Sequence, residues 1–379
     1  MAERLTAARG PAAPPAWRAG RASASESSAS GPSASGPSAS GPSASGPSAS
    51  GPSASGPSAS GFSASGPVSL LLRGAAALAQ RAVLLAVLLV AVFAAMEFLP
   101  GDAARSSLDR GASAAAVAAR RVELGLDQPL WSRLLRWMAG LPTGDLGVTS
   151  RGEQVAEVIG RHFPGTLLLG GLAFAVTMVA ALALAVVAAL RPSSALDRAI
   201  SGTSTVVAAL PEFVVASVLV LLFALWADLL PAVTVTAAGG GPASAAMLVL
   251  PVLSLAVPQI GWNARVARAA LADECTAPHV EAAVLDGLPP RRVLLRHVLP
   301  GSLPTIAAGA ATSVGMLLGG AVVVETIFNY PGVGSVLAGA VRDRDTPLVA
   351  GVVVVTSVAV LAVLLAADLV RGWASVRRP

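Results

Sequence analysis

The sequence predicts an all-α membrane protein of six transmembrane helices, and three observations carry that expectation. Of 379 residues, 54% are hydrophobic and 12% charged, with a mean hydropathy of +0.71, an apolar share above that of a water-soluble domain of this length. The apolar residues gather in runs of about twenty, which a helix rising about 1.5 Å per residue needs to cross a hydrocarbon core of roughly 30 Å. Arg recurs in alternate short loops between those runs, the asymmetry that sets orientation in a membrane.

The chain opens on low complexity. From about residue 28 to 66 the pentad GPSAS repeats, broken at Phe62. Pro and Gly in each repeat oppose helix, and Ser and Ala bury too little apolar area to offset ordering entropy, so residues 1–72 are expected to be a disordered cytoplasmic tail. A signal peptide is not expected, because the first long apolar run starts some eighty residues in and reaches spanning length.

Residues 73–100 hold the first span, over 80–98, with Arg73 and Arg81 at its start and Pro100 and Gly101 at its end. Residues 101–163 are polar and of mixed charge and are expected outside the cytoplasm. Among their short helices is one over 130–138 on which Trp131, Leu134, Leu135 and Met138 share a face, suited to the membrane interface. Residues 164–372 are expected to form a five-helix transmembrane core, with spans over 165–190, 204–226, 245–262, 305–324 and 348–370, a loop at 264–304, and a short tail at 373–379. Pro251 and Pro258 are expected to kink the fourth span. Gly170, Gly171, Gly309, Gly315, Gly319 and Gly320 are small residues that let helices approach. Arg191 and Arg198 follow the second span, Arg265, Arg268, Arg291, Arg292 and Arg296 the fourth, and Arg371, Arg377 and Arg378 the sixth. Those regions, and both termini, are therefore expected in the cytoplasm.

Several chemistries are excluded. Every basic side chain apart from His is Arg, so the Lys of a phosphate-cradling P-loop is missing. Cys275 stands alone, and His162, His279 and His297 are scattered without the spacing of a metal site or a triad. No catalytic residue and no metal ligand is expected.

The loop at 264–304 is the most informative stretch. Asp273 and Thr276 precede a short helix over 278–285, for which Thr276 is expected to cap orphan amides, Pro278 to occupy the first turn and Gly287 to end the helix in the left-handed conformation. Pro289 and Pro290 then open a second helix over 291–299, apolar at Val293, Leu294 and Val298 and basic at Arg291, Arg292 and Arg296. The pair is expected to lie along the membrane surface.

Glu281, Ala282, Ala283 and Gly287, followed by Leu299 and Pro300, resemble the E-A-A-x-x-x-G loop of ABC importer permeases. Residues 319–334, with Glu325, Phe328, Pro331, Gly332 and Gly334, resemble the G-G-A-V-V-V-E-T-x-F-x-x-P-G-x-G signature of the dipeptide, oligopeptide and nickel branch. Arg344, Asp345 and Pro347 resemble its R-D-x-P. Leu99 to Asp102 resemble its L-P-G-D, Leu124 to Pro129 its L-G-L-D-x-P, and Gly144 to Gly147 its G-D-L-G. The resemblance spans roughly residues 80 to 372. It implies the type I ABC importer permease fold and a pore subunit in a bacterial inner membrane. The expected partners are a second homologous permease, two ATP-binding subunits that hold ATP and Mg, an extracytoplasmic solute-binding protein and membrane lipid. No cofactor on this chain and no nucleic acid are implied. The short helix then becomes the coupling helix, seated in a groove of an ATPase subunit.

Three positions depart from that pattern: Asp286 stands where a basic residue is usual, His297 where the general loop has an aliphatic one, and Glu212 where a small polar residue is common. Glu212, after Pro211 in the third span, either lines the translocation path and favours a cationic cargo group or is hydrogen-bonded within the bundle or to the partner permease. The alternative for the whole chain is an ion-gradient-driven secondary transporter, which would call for internal symmetry and broken helices; no symmetry is visible. Peptides, nickel chelates, opines and small glycosides all remain open as cargo.

Overall fold

The computed structural model describes residues 67–99, 101, 103–108, 111–235 and 241–376, with side chains described within 79–367. The GPSAS repeats, Pro100, Asp102, Arg377 and Arg378 lie outside the described residues. The chain divides at Leu84 into two units, and of the first only the opening of α1 is described. The second unit holds the features below.

The order is α1 (Pro67–Phe98), α2 (Ala103–Ser106), α3 (Ala114–Glu123), α4 (Leu130–Gly140), α5 (Val155–Ala189), α6 (Ala195–Ala208), α7 (Glu212–Leu219), α8 (Ala246–Glu274), α9 (Pro278–Leu285), α10 (Pro290–Val293), α11 (Leu299–Ile327), α12 (Val333–Asp343) and α13 (Thr346–Val376). Among the described residues no strand forms beyond a single bridge from Val148 to Gln154. Ala79–Phe98, Val155–Ala189, Ala246–Glu274, Pro290–Ile327 and Thr346–Ala367 are each long and apolar enough to cross a membrane, and Ala195–Ala208 with Glu212–Trp226 reaches that length and apolarity only as a pair, bent by 100° at the break between them.

The spans part from the expected boundaries for identifiable reasons. α5 begins near residue 155, because Val155, Val158 and Ile159 form a helical stripe that packs on Val333, Leu348 and Val352, even though Glu157, Arg161 and His162 make the stretch look like loop. α8 likewise runs past Trp262 to Glu274, burying Asn263, Ala264, Ala267, Ala270 and Leu271 on one side while Arg265 stays on the other. The third span is not one helix. Pro211 has no amide to donate and sits in an extended conformation, so the helix stops at Ala208 and restarts at Glu212, passing into a π-helix over Val220–Trp226. The second helix of the 264–304 loop does not lie separately on the surface: α10 continues through a π-turn, Leu294–Val298, into α11 as one span. On α4 the buried side chains are Leu134 and Trp137, while Trp131 and Leu135 are exposed. The Trp137 indole donates to the Leu146 carbonyl at 2.9 Å and its ring packs on Phe93.

Small residues set the closest crossings. A Cβ on Gly261 would come within 2.6 Å of the Ser204 carbonyl, so α6 meets α8 with their backbones nearly in contact, and one on Gly351 would come within 2.6 Å of the Val155 side chain, which fills the space Gly351 leaves between α5 and α13. Of the glycines singled out from sequence, Gly309 and Gly320 meet neighbours, whereas Gly170, Gly171 and Gly319 face open space. Gly261→Ala is expected to destabilise by about 1–3 kcal/mol through overpacking. Gly160→Ala, whose methyl would meet nothing within 4 Å, is expected to be neutral or stabilising by up to about 1 kcal/mol. Unfolding of the detergent-solubilised chain by dodecyl sulfate compares the two.

Candidate functional site

At the end of the bundle where α8 leads into α9, the chain builds a short helix with one anchored and one exposed face. Val280 and Ala283 are buried among Ala185, Ala267, Leu271, Val293 and Val298, with Leu299 packed at the edge. Glu281, Ala282 and Leu285 point away, and Leu285 is 81% exposed. The C-terminus of α9 is closed by a paired motif: the Gly287 amide donates to the Val284 carbonyl at 3.0 Å and the Leu288 amide to the Ala283 carbonyl at 3.3 Å. That pairing requires a left-handed residue, and Gly287 supplies it at φ 76°. Thr276 does not cap α9. Its hydroxyl donates back to the Asp273 carbonyl at 2.7 Å, and the N-cap is Ala277, without a side-chain bond. Pro300 is exposed.

A brace missed in the sequence stiffens the same end. Asp197 on α6 is 3% exposed and receives Arg268 of α8 in a two-pronged contact, Nε to Oδ1 at 2.5 Å and Nη2 to Oδ2 at 2.7 Å. The Asp197 carboxylate also accepts the Ser193 amide at 3.0 Å, while Ser194 caps α6 by accepting the Asp197 amide at 3.1 Å. The run Ser194-x-x-Asp197 at a helix start was the available signal; its partner seventy-one residues away was not.

At the other end, buried carboxylates replace missing caps. Glu325, 0% exposed near the end of α11, accepts the Thr166 hydroxyl of α5 at 2.7 Å and the amides of Gly334 and Ser335 at 2.7 and 3.1 Å. Those amides belong to the first turn of α12, whose N-cap, Gly332, has no side chain to offer. Glu325 therefore performs the capping from outside the helix. Thr166 in turn accepts the Val333 amide at 2.8 Å, and Tyr330 donates its hydroxyl to the Gly165 carbonyl at 3.0 Å. Side chains on Gly332 or Gly334 would collide with the Glu325 carboxyl group. Asp345 repeats the device for α13: it accepts the Leu348 amide at 3.1 Å and the Ser150 amide at 2.6 Å, after Arg344 has turned the chain at φ 64°, with Pro347 in the first turn. Phe328 is buried and its carbonyl accepts the Thr234 amide at 2.8 Å. Beside Asp345 lies a cavity of about 300 Å³ bounded by Arg133, Arg136, Trp137, Asp145 and Arg344.

Residues 181–377 match the family of binding-protein-dependent transport system inner membrane components. A putative peptide transport system permease of Brucella abortus is 32% identical over 275 residues, covering 72% of this chain and 88% of the relative. The chain belongs to this family. A probable peptide ABC transporter permease of Sinorhizobium fredii is 29% identical, with 73% of this chain and 90% of the relative covered. The dipeptide transport system permease of Bacillus subtilis is also 29% identical, with 74% and 89% covered. A solved inward-facing form of the MetNI methionine ABC transporter matches at 17% identity and a TM-score of 0.48, covering 58% of this chain and 97% of that one.

As an ABC importer permease, the protein is embedded in the membrane and works within a transporter that has ATP-binding and substrate-binding partners; the ion-gradient reading falls away. Its motif residues divide between the two ends of the bundle. Glu281, Ala282, Ala283, Gly287, Leu299 and Pro300 gather at one, and Glu325, Phe328, Pro331, Gly332, Gly334, Arg344, Asp345 and Pro347 at the other. Glu212 belongs to neither group. It opens α7 at the break, with its carboxyl group 3.3 Å from where a Gly320 Cβ would stand.

Glu325→Ala would leave two amides and a hydroxyl without their acceptor, and a loss of about 3 kcal/mol is expected. Glu325→Gln keeps one acceptor and should lose less. Dodecyl sulfate unfolding gives the cost, and faster hydrogen exchange at Gly334 and Ser335 locates it.

Proposed function

We propose that this chain is the non-hydrolysing pore subunit of a bacterial inner-membrane importer that carries peptides or similar small solutes delivered by an external binding protein. In this reading it pairs with a second homologous permease, and two ATP-binding subunits hold ATP and Mg and drive the cycle. Peptide cargo is supported by the relatives, whose names specify peptide and dipeptide transport. The end that carries α9 is cytoplasmic, as are both termini, which agrees with Arg191, Arg198, Arg265, Arg268, Arg291, Arg292 and Arg296 in the short connections there.

The observation that carries the proposal is the construction of α9. An apolar Leu285 is held in the open beside Glu281 and Ala282, on a helix whose other face is packed and whose end is closed by Gly287. An exposed leucine one helical turn from a carboxylate suits a partner groove with an apolar floor and a polar rim. Because Val280 and Ala283 fasten α9 to the ends of α5, α8 and α11, a push on the exposed face moves those helices together. ATPase closure would thus become rigid-body displacement of spans.

The detergent-solubilised chain is expected to bring down candidate ATPase subunits in a pull-down. A Glu281→Arg, Gly287→Arg double variant should lose at least about 90% of that capture, an affinity change of roughly 1.4 kcal/mol or more. A single Leu285→Ala should weaken it by a similar order, as loss of a contact at the centre of an interface does. Equal capture by all three proteins would remove α9 from the interface.

A further inference from the structure

We propose that Glu212 is a cation-recognition residue of the translocation path, receiving a positively charged group of the cargo. The inference rests on the importer reading above and names the chemistry of what is carried.

Depth is the first observation. The Glu212 carboxyl carbon and one of its oxygens lie 3.3 Å from where a Cβ of Gly320 would be, and Leu255 of α8 shares that space at 3.2 Å. Gly320 falls within 305–324 of α11, a stretch without any ionisable side chain, and Leu255 within the apolar first half of α8. The carboxyl group is thus set against the apolar stretches of α8 and α11.

Its lack of partners is the second. Among the described residues no hydrogen bond or ion pair reaches the Glu212 side chain, in contrast to Asp197, Glu325 and Asp345, each of which has its oxygens occupied by donors. A carboxyl group at such depth faces a bundle interior, a wet cavity or an opposite charge, and the bundle interior supplies nothing here. Glu212 is half-buried, so its polar end is open on one side.

Backbone is the third. α6 and α7 break at Pro211 with a bend of 100°, and non-helical backbone at membrane depth is tolerated where it lines a cavity or is covered by protein. Glu212 is the first residue after that break. Gly320, without a side chain, leaves the room in which the carboxylate and a bound group sit together. The matching group is an ammonium or guanidinium, which pairs with a carboxylate by charge-assisted hydrogen bonds.

The test uses the assembled transporter in proteoliposomes, with lysyl-alanine and alanyl-alanine as probes. Glu212→Gln is expected to lower the ratio of lysyl-alanine to alanyl-alanine uptake about tenfold or more, and Glu212→Asp to retain most of it. In a Cys275→Ser background, which removes the chain's one cysteine, Glu212→Cys is expected to react with a water-soluble thiosulfonate and to be protected by lysyl-alanine. An unchanged uptake ratio overturns the proposal, as does an unreactive residue 212 with both uptakes reduced alike, which would assign Glu212 to a contact with the second permease. A wild type that carries alanyl-alanine while Glu212→Gln leaves the ratio unaltered sinks this inference alone. A wild type that carries neither dipeptide sinks the peptide-cargo reading with it.

Discussion

The Glu325 carboxyl group at the head of α12 is the interaction on which one whole end of this bundle depends. Between Ile327 and Thr346 the chain must leave one span, form α12 and enter the next, and each new helix begins with amides that have no partner of their own. In a membrane protein those amides are expensive to leave bare. Glu325 serves α12, Asp345 serves α13, and both are themselves buried. Because Glu325 also takes the Thr166 hydroxyl, the start of α12 cannot be built without fixing α5 against α11 at the same depth. Local capping and tertiary register are one event.

The glycines of this end follow from the same constraint. A carboxyl group that must reach amides of a neighbouring helix needs the approach cleared of side chains, and Gly332 and Gly334 clear it. Gly165 lies against the Pro331 carbonyl in the same manner, which lets Tyr330 reach the Gly165 carbonyl. A motif that mixes a carboxylate, a proline and spaced glycines is therefore what this turn requires physically. None of its members has to touch cargo for the pattern to be needed.

Sequence reading reached the helix count and the limits of α9, because periodic apolar runs, Pro278 and Gly287 are local signals. It misjudged the start of α5, the end of α8 and the fate of α10, where buried stripes run through stretches carrying Arg, Glu or His, so that charge on one face was taken for a loop. The break at Pro211 was likewise smoothed over by the hydropathy of its flanks, although proline chemistry accounts for it. The Asp197–Arg268 brace and the Glu325–Thr166 bond join residues far apart in the chain, and no local pattern contains those pairings, whereas the Glu325 cap on Gly334 lies within the motif and only its geometry was hidden. The α9 motif was legible as a pattern. Its division into a buried Ala283 and exposed Glu281, Ala282 and Leu285 needed the packing partners.

The distribution of directional bonds says where this protein can move. Charge-assisted contacts concentrate at the two ends, around Asp197 with Arg268 and around Glu325 with Asp345, and these geometries tolerate little displacement. Between them the helices touch through Leu169, Ala173, Ala216, Leu255 and Leu317, and Asn263 to Ser313 at 2.6 Å is a rare polar tie. Apolar contacts among small and aliphatic side chains have no preferred direction and can be exchanged for similar ones at low cost. Rigid ends joined through such a middle favour rocking of whole spans over bending within them. The broken span is the exception, because Pro211 has already removed the hydrogen bonds that would resist a change of angle. Glu212 stands at that joint, so a carboxyl group without a hydrogen-bond or ion-pair partner among the described residues sits where the bundle is least constrained.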